Sequence, residues 1–174
     1  MKTLFPLESE RLLIQPLTYH EALQYRAGTF CAPENPLTVL PAYSISPRLS
    51  EAMDNFLLPK LQAAGADYLF QTIWLIRDKQ NGIIVGSFLF KGPVNAAGSV
   101  EIGYGTEPGF QGRGYMTEAI AATLKWATGW PEVRIITAET KPDNLASIQV
   151  LEKNNFEQYD QRDDLIFWRR VVTA

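Results

Sequence analysis

The chain has 174 residues, enough for one domain with a full-sized core, and 46% of them are hydrophobic. Its net charge of -3 and the lack of any Lys/Arg run argue against a nucleic-acid partner. The apolar runs are too short to span a membrane, and the start lacks the apolar region of a signal peptide. One cysteine, Cys31, and one histidine, His20, argue against a disulfide framework and a zinc site. We therefore expect a cytoplasmic, metal-free protein with a single domain over residues 1–174.

The first half of the chain predicts short elements and a proline-rich loop. Residues 10–17 alternate as a strand, and Thr18 with Glu21 has the spacing of a capping box before a short helix. Residues 28–47 hold four prolines and predict a loop.

A second helix is predicted to begin at Pro47, because proline suits the first helical position. Pro59 should end or kink this helix, since proline cannot donate the backbone hydrogen bond of a helix interior. Apolar residues at helical spacing predict its buried face, and these are Leu49, Ala52, Met53, Phe56 and Leu57.

The middle of the chain predicts an antiparallel meander. Residues 70–77 alternate as a strand, and Asn81-Gly82 is a hairpin signal before the return strand "IIVGSFLFKG". A turn at "NAAG" leads to a third strand, "SVEIGYGT".

The pattern then changes to alternating strands and helices. Residues 115–128 carry apolar side chains at helical spacing, and "VRIITAET" predicts a buried strand. Asp143 can cap a further helix, and "FEQYD" and "DLIFWRRVV" predict two final strands. Together the elements predict an α/β (α+β) fold with a mixed sheet of six to seven strands. An antiparallel meander precedes a βαβαβ arrangement, and helices cover both faces.

Glycine is concentrated directly before the helix at 115–128. The stretch "GFQGRGYMTEA" begins at Gly109, and five glycines lie between Gly103 and Gly114. Such a stretch can form a tight turn or a phosphate site. Glycine lets backbone N–H groups approach a ligand, and the first N–H groups of a helix have no partner within it. The helix dipole also favours negative charge there.

Two familiar phosphate-binding sequences do not fit this stretch. Gly109 and Gly114 have the spacing of a P-loop, but Tyr115 and Met116 replace its Lys and Ser/Thr. The dinucleotide fingerprint G-x-G-x-x-G fits no register, and the stretch follows a meander instead of opening a parallel βαβ unit. Nucleoside triphosphates and dinucleotides are therefore disfavoured.

Three segments resemble the GNAT acetyltransferases. The string "QGRGYM" is similar to the family's pyrophosphate loop, Q/R-x-x-G-x-G/A. The segments "EIGYGTEPGFQGRGYMTEAI", "KPDNLASIQVLEKNNF" and "SERLLIQPL" resemble the branch that contains the ribosomal-protein N-acetyltransferases RimJ and RimL. The likeness covers residues 8 to about 170. Met116 departs from the Gly or Ala of the loop signature, and Asn155 replaces a Gly at a position that we expect to be left-handed.

The resemblance implies an N-acetyltransferase that moves acetyl from acetyl-CoA directly to an amine within a ternary complex. It implies a pyrophosphate on the N–H groups at 112–116, and a bulge at Gly103 and Gly105 that frees a strand to pair with the pantetheine. A backbone N–H of that strand can stabilise the thioester oxyanion, and Asn144 can hold the pantetheine amides. The expected cofactor-binding residues are Ile102, Gly103, Tyr104, Gly105, Thr106, Gln111, Gly112, Arg113, Gly114, Tyr115, Met116, Thr117, Asn144 and Ser147.

Two proton transfers remain, one from the amine and one to the leaving thiolate. Many members of the family use a Tyr on the late helix as the acid, but this chain has Leu151 at that position. Ser147, where the RimL-like branch carries its Ser, is the candidate acid. Glu101 is the candidate base, acting through water, and Tyr104 is a further candidate for either role.

Each of these residues also has a purely structural interpretation. The glycines could form only a turn, and Asn144 could be only part of a helix cap. Ser147 could be an ordinary residue on a helix surface, and Glu101 could be a solvated or paired carboxylate. For the whole chain, the alternative to an enzyme is a non-catalytic module that binds or senses acyl-CoA. A hydrolase is disfavoured because no G-x-S-x-G sequence occurs and His20 is the only histidine.

The acceptor implied by the resemblance is an amine, either a protein N-terminus or a small molecule such as an amino acid, polyamine or antibiotic. Its site is expected to be built by the two early helices, the loop at 28–47 and the last hairpin. Family habit also implies a homodimer as one option.

Overall fold

An eight-stranded sheet forms the centre of the computed structural model, which describes residues 6–30, 45 and 47–172. The strands are β1 (Leu7–Glu8), β2 (Leu12–Pro16), β3 (Ile73–Asp78), β4 (Ile84–Phe90), β5 (Ser99–Thr106), β6 (Ile135–Thr140), β7 (Glu157–Arg162) and β8 (Leu165–Val171). The α-helices are α1 (Tyr19–Arg26), α2 (Pro47–Ala52), α3 (Leu58–Ala63), α4 (Tyr115–Ala127) and α5 (Leu145–Lys153). A π-helical turn, Met53–Leu57, joins α2 to α3, and a 3₁₀ segment, Gly65–Phe70, follows α3.

The strand order β1-β2-β3-β4-β5-β6-β8-β7 combines an antiparallel meander with one parallel pair, β5 and β6. Helix α4 connects β5 to β6, and α5 connects β6 to β7, so the predicted meander followed by βαβαβ is confirmed. The structure adds one strand to the six to seven expected. This strand, β1, has two residues, which is too short to produce an alternating pattern in the sequence.

Strand β3 separates two hydrophobic cores, one on each face of the sheet. Trp74 and Ile76 join the core beneath α4 and α5, whereas Ile73 and Leu75 join the core beneath α1, α2 and α3. Successive side chains of a strand point to opposite faces, so both sets are buried although they alternate. The predicted helices on both faces are therefore confirmed.

The helix predicted to end or kink at Pro59 instead changes its hydrogen-bonding pattern before that residue. The π-helical turn lets the N–H of Leu58 bond to the carbonyl of Met53, and Pro59 then lies in the first turn of α3, where a missing N–H is tolerated. The turn also shifts the buried stripe. Phe56, expected in the core, is 64% exposed, while Met53 and Leu57 are buried.

Two further local predictions, the capping box of α1 and the left-handed conformation of Asn155, are confirmed. The capping box is confirmed, because Thr18 Oγ1 accepts from Glu21 N at 3.3 Å and Glu21 Oε2 accepts from Thr18 N at 2.8 Å. Asn155 has a φ of 56°, the left-handed conformation expected for it. Cys31 and most of the loop at 28–47 lie outside the described residues. In the part of the chain that is described, no helix could span a bilayer and no cluster of His, Cys, Asp and Glu could hold a metal ion.

Candidate functional site

Strands β5 and β6 separate after Glu101, and this fork defines one end of the candidate site. The two strands pair over residues 99–101, and within the described chain their pairing goes no further. Over residues 102–106, β5 stays paired with β4 without a register shift. The prediction of a bulge at Gly103 and Gly105 is therefore wrong. The separation of β5 from β6, which the bulge was expected to cause, is nevertheless present. The edge of β5 that faces β6 is left with backbone groups that β6 does not pair.

A cavity of about 530 Å³ lies between the second half of β5 and the N-terminal ends of α4 and α5. All the expected cofactor-binding residues line it except three. Ile102 is buried in the core, a side chain at Gly103 would point at Lys91, and Arg113 holds its guanidinium over the ring of Phe110. Sequence reasoning missed five lining residues, namely Phe110, Ala146, Gln149, Val150 and Lys153.

The glycines before α4 are required by the conformation of the backbone. Gly109, Gly112 and Gly114 have φ values of 84°, 72° and 78°, in the left-handed region that favours glycine. A Cβ on Gly109 or Gly112 would meet no atom within 4 Å, so space is not the reason for glycine there. Gly114 is the N-cap residue of α4, and no side chain of the described residues caps this helix. The N–H groups of its first turn are therefore available to an anion at the cavity.

Arg11, in the turn before β2, supports the glycine loop from the N-terminal segment. Its Nη1 donates to Arg113 O at 3.1 Å, and its Nε donates to Glu118 Oε2 at 2.7 Å. The hydrogen bond to Glu118 raises the pKa of Arg11. The guanidinium also lies 4.7 Å from the centre of the Tyr115 ring. Arg11 belongs to the segment "SERLLIQPL", but a contact across 102 residues leaves no spacing signal, so sequence reasoning gave it no role.

Tyr115 connects the start of α4 to the hairpin between β3 and β4. Its hydroxyl donates to Asp78 Oδ2 at 2.9 Å, and this hydrogen bond raises the pKa of Tyr115. The other carboxylate oxygen of Asp78 accepts from the backbone N–H groups of Gln80 and Asn81. The glycine loop and the hairpin are thus joined through one carboxylate.

Ser147 and Tyr104 meet where α5 borders the cavity. Ser147 Oγ lies 2.9 Å from Tyr104 OH, and either hydroxyl can be the donor. Burial raises the pKa of Tyr104 to about 12, against the opposite effect of its hydrogen bond with Ser147, so the phenol is protonated at neutral pH. The N-cap of α5 is Asn144, which accepts from Ser147 N at 3.2 Å, so the prediction of Asp143 as the cap is wrong by one residue. The cap interpretation of Asn144 is therefore observed, and both Asn144 and Ser147 line the cavity.

Glu101 lies at the fork but outside the cavity. Its neighbours on β5 face the core beneath α4, so Glu101 faces the opposite side of the sheet. Its carboxylate pairs with Lys91 Nζ, which also lies 3.1 Å from Glu139 Oε2. Burial disfavours the charged lysine, but its hydrogen bonds with Glu101 and Glu139 outweigh this effect and raise the pKa of Lys91. The paired carboxylate considered from the sequence is thus observed.

Comparison with known proteins identifies the family. Residues 11–157 match the acetyltransferase (GNAT) domain family. The chain belongs to the GNAT acetyltransferases. Among GNAT relatives, the uncharacterized N-acetyltransferase YjdG of Bacillus subtilis (strain 168) is 39% identical over 83 residues. That match spans 48% of this chain and 49% of YjdG, about half of either protein.

Solved GNAT structures share the fold at low sequence identity. Ribosomal-protein-S5-alanine acetyltransferase from Vibrio fischeri has a TM-score of 0.69 at 18% identity, over 95% of both chains. RimL, a ribosomal L7/L12 α-N-protein acetyltransferase in complex with coenzyme A, has a TM-score of 0.66 at 16% identity, over 97% of both chains. Spermidine N-acetyltransferase from Vibrio cholerae, in complex with CoA and spermine, has a TM-score of 0.63 at 13% identity, over 94% of this chain and 97% of that one. The GNAT fold expected from the sequence is confirmed.

Proposed function

We propose that the chain is an acetyl-CoA-dependent N-acetyltransferase of the RimJ/RimL-like branch, which transfers acetyl to a primary amine by direct attack. The observation that carries the proposal is the uncapped start of α4, which follows a left-handed glycine loop at the wall of a cavity of about 530 Å³. A diphosphate can accept the hydrogen bonds that the first-turn N–H groups lack, and the helix dipole favours its charge. The likeness to RimL and to ribosomal-protein-S5-alanine acetyltransferase supports the branch.

One end of the cavity suits the diphosphate of acetyl-CoA, and the other end suits its pantetheine and thioester. The N–H groups at 112–116 hold the diphosphate, with the Thr117 hydroxyl as a further donor. The unpaired edge of β5 over residues 102–106 holds the pantetheine as an added strand, which brings the thioester to the fork. Asn144 uses its carbonyl oxygen to cap α5, so its amide NH₂ can donate to a pantetheine carbonyl. Acetyl-CoA, when bound, supplies the acetyl group as an activated thioester.

Two hydroxyls and one carboxylate carry the proton transfers in this proposal. As the new N–C bond forms and the C–S bond breaks, Ser147 Oγ donates a proton to the departing sulfur. Tyr104 OH, 2.9 Å from Ser147 Oγ, holds that hydroxyl and can return a proton to it. A backbone N–H on the unpaired edge of β5 would stabilise the negative charge that develops on the thioester oxygen. Glu101 accepts the amine proton through water from the opposite side of the fork.

The acceptor remains an amine of two possible classes, a protein N-terminus or a small molecule. The similar structures include enzymes named for each class, a ribosomal-protein acetyltransferase and a spermidine acetyltransferase. Because Glu101 lies on the face away from α4 and α5, we place the acceptor on that face. A cytoplasmic location and a homodimer stay as expectations from the sequence and the family.

Thermal melting with acetyl-CoA is the first test, with GTP and NAD as controls. A ligand at about 100 times its Kd adds roughly 2.7 kcal/mol to the free energy of unfolding, which gives a clear rise in Tm. We expect a rise with acetyl-CoA alone, followed by amine-dependent release of free thiol from a panel of N-terminal peptides and polyamines. No rise with acetyl-CoA overturns the proposal. Binding without thiol release from any amine favours instead the acyl-CoA-binding module.

A further inference from the structure

Arg11 uses only part of its guanidinium to support the glycine loop. Nε and Nη1 donate to Glu118 and to the carbonyl of Arg113, whereas Nη2 has no hydrogen-bond partner among residues 6–30, 45 and 47–172. A Cβ on Gly114 would lie 3.6 Å from Nη2, so this nitrogen is beside the N-cap of α4. The side chain is 43% exposed and lies just outside the cavity lining, beside Gly114 and Tyr115, which do line it.

Arg11 places a cation at the N-terminal end of α4, where Glu118 is its partner and favours its charged form. The N-terminus of a helix carries a partial positive charge, and cations are favoured at the other end. Glu118 pairs with Arg11 on one side, but the start of α4 stays uncapped. The guanidinium is nevertheless held firmly by two side-chain hydrogen bonds and by its contact with the Tyr115 ring. A fixed cation with a free donor beside uncapped N–H groups has the chemistry of a phosphate site.

We propose that Arg11 is a ligand of the cofactor's diphosphate, with Nη2 donating to a phosphate oxygen beside Gly114. This inference rests on the proposed function, since it needs a diphosphate at the start of α4. The turn before β2 and the glycine loop then hold the diphosphate from two sides. Because the guanidinium is already ordered by Glu118 and Arg113, little side-chain entropy is lost on binding.

The test compares two acetyl thioesters, acetyl-CoA and S-acetylpantetheine, which lacks the diphosphate. In Arg11→Met we expect the Kd for acetyl-CoA to rise about tenfold, because one charge-assisted hydrogen bond is lost. We expect kcat/KM for S-acetylpantetheine to stay within about twofold of wild type. The salt dependence of acetyl-CoA binding should also weaken, since one cationic contact is gone.

Arg26→Met is the matched control, because Arg26 also forms an exposed ion pair, with Asp54, but lies on α1 away from the cavity. It should bind acetyl-CoA as wild type does. Arg11→Lys keeps the charge without the planar fork and should recover part of the affinity, which also covers the case that Arg11→Met does not fold.

Two outcomes overturn the inference. An unchanged Kd for acetyl-CoA in Arg11→Met shows that no contact exists. Equal losses for acetyl-CoA and S-acetylpantetheine show that the substitution disturbs the whole site, including its thioester end, and is not specific to the diphosphate. A wild-type protein that binds no acetyl-CoA at all contradicts the proposed function itself, and this result is distinguishable because it precedes any variant.

Discussion

The hydroxyls of Ser147 and Tyr104 lie 2.9 Å apart, and Tyr104 OH also lies within donating distance of Ser147 O, at 3.2 Å, so their roles can be separated only by removing one hydroxyl at a time. Ser147→Ala should lower kcat by about 100-fold, the usual lower range for a general acid, while the Kd for acetyl-CoA stays within about twofold. Tyr104→Phe should cost less, about tenfold, because it removes a group that acts through Ser147. The measurements are free-thiol release and calorimetric titration.

The kcat values of the two variants also show whether the assignment of Ser147 as the acid is wrong. A Ser147→Ala variant with the wild-type kcat contradicts the serine as acid. A larger loss in Tyr104→Phe than in Ser147→Ala assigns the proton to the phenol, which the structure places at the same end of the cavity.

Glu101 shows how far sequence reasoning can reach at a single residue. Its place at the fork could be predicted, because it stands directly before the glycine-rich end of its strand. Its ion pair with Lys91, which also binds Glu139, could not be predicted, because the three residues lie on or beside three different strands. Contacts of this kind depend on strand order, and a sequence pattern carries only local spacing.

The glycine loop is the element whose backbone can be tested most directly. At Gly114, with φ 78°, an alanine should cost about 1 to 2 kcal/mol of unfolding free energy, because its Cβ is strained in the left-handed region. Gly114→Ala should also raise the Kd for acetyl-CoA at least about tenfold, since the Cβ stands where the proposed diphosphate lies. Urea unfolding and calorimetric titration measure the two effects separately.

Gly109→Ala is the matched control for this loop. Gly109 has a similar φ, 84°, and does not line the cavity. A Cβ on Gly109 would meet no atom within 4 Å, and one on Gly114 would meet only Arg11 Nη2, at 3.6 Å, which is ordinary van der Waals contact. It should lose the same stability as Gly114→Ala and keep the wild-type Kd. A wild-type Kd in Gly114→Ala as well would mean that the loop is a turn and holds no phosphate.

Elements with local causes were predictable, and elements with distant causes were not. The glycine-rich loop before α4, the start of α5 and the positive φ of Asn155 follow from residues within a few positions of each other, although the cap of α5 is Asn144 and not the predicted Asp143. Gly86 on β4 is the opposite case. A Cβ there would lie 2.7 Å from Gly105 O and 3.1 Å from Met116 Cε, so the close packing of β4, β5 and α4 requires glycine. Nothing in its own segment, "IVGSF", indicates this.

Across the whole molecule, Glu118 connects the N-terminal strands to α4. Its Oε1 accepts from Arg11 N at 2.8 Å and from Ser9 Oγ at 2.7 Å, which joins segments 107 and 109 residues apart. Burial alone would raise the pKa of Glu118, but the hydrogen bonds from Arg11 and Ser9 outweigh it and lower the pKa from its usual 4.5. Because the folded pKa is below the unfolded one, this carboxylate stabilises the fold above pH 4.5. The contribution is lost as the pH falls through the folded pKa.

Glu118→Gln should therefore destabilise the protein in a pH-dependent way. At pH 7 we expect about 1 kcal/mol less unfolding free energy, a modest loss because the pair with Arg11 is partly exposed and screened by solvent. As the pH falls below 4.5 and through the folded pKa, the difference from wild type should shrink, since wild-type Glu118 becomes protonated and resembles glutamine. Urea unfolding at several pH values measures this, with Glu152→Gln, an exposed carboxylate on α5, as the control. A difference that stays constant from neutral to acid pH would contradict the role of the charge. In that case the long-range connection would depend on the packing of the two segments and not on the carboxylate.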